Sequence, residues 1–160
     1  MKRILSTIIL LCILSLAFSV SVFAKRIDTS YFSVNVPKGW VYEVHPSGYS
    51  IDISKDGGGA RILLGIGPRV DIHTQDAEYF AQVQSKGMDG SAVVKDADGF
   101  YYFTFIDKGK KHHFYCKDLG DKMFIKWIRG PKELWQPIID SIKIKRLDDL
   151  TKKEQAAKAE

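Results

Sequence analysis

The sequence predicts an α+β fold, an antiparallel β-sheet flanked by helices, set behind an N-terminal export segment. Three observations carry this expectation. Short stretches alternate apolar and polar residues and are separated by reversals rich in Gly, Pro and Asp. Two further stretches, one mid-chain and one near the C-terminus, repeat apolar residues at helical spacing. The first 24 residues follow neither pattern: Lys2 and Arg3 precede an apolar run from Ile4 to Val20, and Val22-Phe23-Ala24 supplies a signal-peptidase site.

The segment 1–24 is therefore read as a signal peptide, with a single membrane-anchoring helix as the alternative. Cys12 follows Leu10 and Leu11, where a lipid-modification site needs small residues, so it reads as an apolar-core cysteine lost with the signal. Removal leaves 136 of 160 residues, enough for one domain. The net charge falls from +5 to +3 as Lys2 and Arg3 leave, an excess too mild to imply nucleic acid. Only Cys116 then remains, which rules out an intramolecular disulfide in a compartment that would permit one. Trp40, Trp127 and Trp135, with most tyrosines and phenylalanines, supply the core.

Residues 25–30 read as a polar lead-in to a single domain over 31–146. Tyr31 to Val36 alternates as a half-buried strand and stops at Pro37-Lys38-Gly39. Trp40 to Val44 resumes the extended chain until Pro46-Ser47-Gly48. Tyr49 to Ser54 and Arg61 to Ile66 flank the flexible reversal Asp56-Gly57-Gly58-Gly59. Thr74 can cap a helix running through Lys86, with Ala77, Phe80, Ala81 and Val83 as its apolar stripe and Gly87 as a left-handed stop. Extended segments follow at Ser91 to Lys95, Phe100 to Ile106, Lys111 to Lys117 and Lys122 to Ile128, joined by hairpin loops at 96–99, 107–110 and 118–121. Leu134, Trp135, Ile138, Ile139 and Ile142 form the closing helix, which either starts late or is kinked at Pro137. The charged stretch 147–160 reads as a frayed or disordered tail.

Four-residue loops would set a testable register. Phe105 then faces His112, Phe103 faces Phe114 and Tyr101 faces Cys116; in the next hairpin Cys116 faces Met123, Phe114 faces Ile125 and His112 faces Trp127. Opposed residues share a sheet face. One face collects Tyr101, Phe103, Phe105, Phe114, Cys116, Met123, Ile125 and Trp127, the expected core. The other holds Tyr102, Thr104, Ile106, Lys111, His113, Tyr115, Lys117, Lys122, Phe124 and Lys126; on it Lys111, His113, Lys117, Lys122 and Lys126 surround Tyr115 and Phe124, and these seven are the candidate interaction surface. A solvated or helix-covered sheet face is the plain alternative.

The stretch Tyr31-Phe32-Ser33-Val34-Asn35-Val36-Pro37-Lys38-Gly39-Trp40 resembles the opening strand and Pro-x-Gly-Trp turn of the PsbP-like superfamily, which includes DcrB-like exported bacterial proteins. The likeness extends through the mid-chain helix, the meander and the closing helix with Asp140-Ser141-Ile142, over about residues 30 to 146. It implies an α-β-α sandwich with no shared catalytic residues. No photosystem role is inferred from it.

Catalytic and metal motifs give no assignment, and no cofactor is expected. Cys116 and His112 lie four residues apart on one strand, about 13 Å at ~3.3 Å per residue, too far for proton transfer. His112 and His113 point to opposite faces, and His45 and His73 are isolated. Asp96-Ala97-Asp98-Gly99 lacks the full ligand series of a calcium loop. Gly57-Gly58-Gly59 and Gly65-Ile66-Gly67-Pro68 lack the features of a phosphate loop. The expectation is an exported, periplasmic or extracellular, non-enzymatic accessory or binding module of the cell envelope. Its partner would be an acidic protein or an anionic envelope component, with no nucleic acid and no membrane anchor after cleavage. An envelope hydrolase with a sequence-dispersed active site, or a structural subunit, are the alternatives.

Overall fold

The computed structural model describes residues 23–68 and 76–145. Residues 1–22 of the expected signal peptide, His73, the expected cap Thr74 and the expected tail 147–160 lie outside the described residues. Ten strands and two helices are described: β1 Phe23–Asp28, β2 Phe32–Pro37, β3 Trp40–Val44, β4 Ser50–Lys55, β5 Arg61–Pro68, α1 Ala77–Gly87, β6 Val94–Lys95, β7 Tyr101–Asp107, β8 Lys110–Leu119, β9 Lys122–Arg129, α2 Lys132–Asp140 and β10 Lys143–Ile144. They make an α+β fold of two antiparallel sheets, one ordered β1-β2-β10 and the other β3-β4-β5-β9-β8-β7-β6.

Residues 25–28, expected as a lead-in, belong to strand β1 and pair with β2. The cause is visible in the sequence: Ile27 is the apolar residue facing inward, flanked by the outward Arg26 and Asp28. The first hairpin of the meander has the expected register, closed by a two-residue turn with Lys108 and Gly109 both at positive φ. That is the turn geometry whose twist matches paired strands. The second hairpin is shifted by two from expectation, with Cys116 opposite Ile125 and Phe114 opposite Trp127, because β8 and β9 run on to Leu119 and Lys122 around Gly120-Asp121. An even shift leaves every side chain on its expected face.

Both faces of the long sheet are core. Helix α1 lays Ala77, Phe80 and Ala81 on Phe103, Phe105, Phe114, Cys116 and Met123. On the other face, α2 and the small sheet seal Ile51, Ile53, Ile62, Leu64, Ile66, Phe124 and Ile128 beneath Phe32, Val34, Val36, Trp135 and Ile138. The helix ends differ from expectation. Asp76, not Thr74, caps α1 by accepting from the Tyr79 amide at 2.7 Å. The left-handed residue after α1 is Asp89 rather than Gly87. Helix α2 does not start late; it runs from Lys132 to Asp140 with Pro137 inside it, on an exposed position where the freed carbonyl of Glu133 can meet water.

Candidate functional site

The face expected to be an outer, cationic surface is divided by the fold. Toward β5 it is sealed: Phe124 and Lys122 are buried, and the Lys122 ammonium lies 5.5 Å from the Tyr31 ring. Toward β7 it is open, because α2 is only nine residues long and leaves the strip over β7 and β8 uncovered. The uncovered strip forms a groove of about 1060 Å³.

Its floor comes from β7, β8 and β9, where cross-strand register brings Tyr102 opposite Tyr115 and Tyr115 opposite Lys126. The tyrosine rings stack at 5.4 Å and 25°. Phe100 stands edge-on to Tyr115 at 6.5 Å. Helix α2 makes one wall with Lys132, Trp135, Gln136, Ile139 and Asp140, and residues 91–98 make the other.

Lys126 is the unusual group in this floor. It is 8% exposed, and its Nζ lies 3.5 Å from the centroid of Phe100 and 4.7 Å from that of Tyr115. Its side chain makes no hydrogen bond or ion pair among the described residues. Burial pushes the amine down to about 8, opposed by the more distant carboxylates of Asp96, Asp98 and Asp140. The ring faces stabilise the ammonium, since their quadrupoles attract a cation.

Charge along the groove is polarised. Asp96, Asp98 and Asp140 cluster about Lys126, while Lys111 and Lys132 are the charges acting on His113 at the other end. His113 is half-buried with its ring 5.9 Å from Trp135, and burial, then Lys111, lowers its pKa. Tyr115 is raised by burial and by Tyr102.

Of the seven residues expected on this surface, the groove gathers Lys111, His113, Tyr115, Phe124 and Lys126. Lys122 and Lys117 do not line it. Lys117 donates to the Asp98 carbonyl at 2.6 Å and so ties down the 96–99 turn, where Asp96 also accepts from the Phe100 amide. Sequence reasoning missed Phe100, Lys132, Trp135 and Gln136 as lining residues. The expected register puts Tyr102 and Thr104 on this face, and both line the groove; nothing in a linear pattern says where α2 comes to rest.

Cys116 is fully buried, donates to the Ala77 carbonyl at 3.2 Å, and is pushed up to about 12 by burial. A thiol so held is a packing group. Among the described residues no cluster of three or more His, Cys, Asp and Glu side chains could hold a metal, and no helix is long and apolar enough to cross a membrane.

No family model and no curated protein matches the chain. A solved structure from Bacteroides thetaiotaomicron aligns over 76% of this chain at 15% identity with a TM-score of 0.48, and this chain covers 48% of it, about half its length. The solution structure of cyanobacterial PsbP (CyanoP) from Synechocystis aligns over 78% of this chain and 94% of its own, at 12% identity and a TM-score of 0.46.

Proposed function

We propose that this chain is an exported, non-enzymatic binding module of the cell envelope whose groove takes an amphiphilic ligand bearing an acidic group. The carrying observation is the Lys126 ammonium, held at the groove floor against Phe100 and Tyr115 without an ion-pair partner among the described residues. A buried cation is retained against its desolvation cost, and an anionic ligand is what would offset that cost. The apolar part of such a ligand fits the rings of Phe100, Tyr102 and Tyr115, and its acidic group fits Lys126. Concave, largely apolar sites with a few placed polar groups are the usual form of ligand pockets. Among the described residues His113, Tyr115 and Lys126 make no hydrogen bonds to one another, an arrangement that favours binding over acid-base catalysis.

Dodecanoate and its uncharged counterpart dodecanol separate charge recognition from simple apolar uptake. Wild-type protein should bind dodecanoate more tightly, and Lys126→Met should weaken dodecanoate about tenfold or more while leaving dodecanol unchanged. Equal affinity of wild type for both probes would rule out the reading.

A further inference from the structure

The opposite face of the long sheet carries a second cluster, independent of the groove. Arg61, Arg129 and His112 lie opposite one another in a row across β5, β9 and β8. Like charges directly opposed on a sheet are unfavourable. Arg61 is neutralised by a two-pronged ion pair to Asp52. Arg129 has no such relief: its side chain makes no ion pair or hydrogen bond among the described residues. Together with Leu63, Asp107, Lys108 and Trp127 the row lines a pocket of about 340 Å³.

His112 adds a second unfavourable feature. The ring is 8% exposed and stacked on Phe105 at 4.9 Å and 21°. Its Nδ1 lies 2.9 Å from Trp127 Nε1, and an indole N–H can only donate, so Nδ1 is the bare nitrogen and the proton sits on Nε2. Ring geometry turns Nε2 away from Trp127. It is buried and has no hydrogen-bond partner among the described residues. A buried donor left unmet forfeits the hydrogen bonds it made to water, so the folded state holds it at a cost. Among the described residues Asp107 is the one carboxylate lining the pocket, and it bonds neither group.

Both defects call for the same missing piece, an acceptor carrying negative charge. We propose that this pocket is an oxyanion site for a phosphate group, gripped by the Arg129 fork and the Nε2–H of His112, with Lys108 adding charge from the hairpin turn. Phosphate suits it better than a carboxylate, because a dianion answers several cations at once and a carboxylate already stands in the pocket without satisfying them. The packing of His112 between Phe105 and Trp127 would present its N–H without further ordering.

Isotope-labelled protein titrated with inorganic phosphate, and separately with glycerol phosphate, tests this against potassium chloride of matched ionic strength. The expected result is a saturable shift of the His112 Nε2–H and Arg129 side-chain signals, with Arg129→Gln weakening affinity about tenfold or more and Arg129→Lys falling between. Tighter binding of the ester points to a phosphorylated molecule as the natural source, and tighter binding of the free ion points to phosphate itself; either supports the site. Shifts no larger than those with chloride, or unchanged affinity in a folded Arg129→Gln protein, would overturn it.

Discussion

Burial holds the Lys126 amine near 8 against its ordinary 10.5, so the unfolded chain binds more protons than the native one between those values. Stability should therefore rise as pH climbs from about 8 toward 10.5, and the burial cost is fully present at neutral pH. Lys126→Met should remove this rise and gain about 1 kcal/mol at pH 7, less than the bare desolvation because the Phe100 and Tyr115 contacts are lost with the charge. Urea titrations of both proteins at neutral and alkaline pH check the sign. His112 works at the other end of the scale. Burial above all lowers its pKa below 6.5; Asp107 opposes the shift, and Arg129 and then Lys110 add to it. Protonation would also force two donors together at Trp127. Native stability should consequently fall as pH drops below 6.5, and His112→Gln should flatten that slope. His113, also lowered by burial, contributes in the same direction, so the slope should flatten without vanishing.

The groove exists because of how elements end. Gly130 turns the chain from β9 into α2 at φ 107, and a Cβ there would lie 2.6 Å from the Gly59 carbonyl oxygen. Gly130→Ala should cost about 2–3 kcal/mol in chemical denaturation. Trp135 fixes the start of α2 by donating Nε1–H to the Gly130 carbonyl at 3.0 Å, and Ile138 buries the helix against the core. Ile138→Ala should cost about 2–4 kcal/mol by the same measurement. Most strands were legible because alternation marks a strand wherever one face is more buried than the other, as in Ser50–Lys55. The register of β8 with β9 was not, since Asp118-Leu119-Gly120-Asp121 suits a turn of two or four residues equally well. The sidedness of the meander was legible, but not that both sides are buried. Phe124 on the lysine face was the sign of it, and Ile62, Leu64 and Ile66 across β5 continue the same apolar face.

At the scale of the molecule, the cationic character expected of one sheet face belongs instead to one end of the long sheet. Lys108, Lys110, Lys111, Arg129 and Lys132 gather around the β7–β8 turn and the β9–α2 junction, serving the groove on one face and the Arg129 pocket on the other. Linear order hid this, because Lys132 reaches Lys111 only through the placement of α2. Cleavage after Ala24, expected from the sequence, would keep Lys25 to Asp28 of β1 paired with β2. If the expected export holds, intact-mass measurement of the protein recovered from an envelope fraction should find Lys25 as its first residue. The most direct test of the central claim is to map dodecanoate contacts by backbone amide shifts in the wild-type protein. The perturbed amides should fall on residues 100–104, 111–115, 126–128 and 132–142 around Lys126, whereas a map confined to the α1 face, or no saturable shift at all, would contradict it.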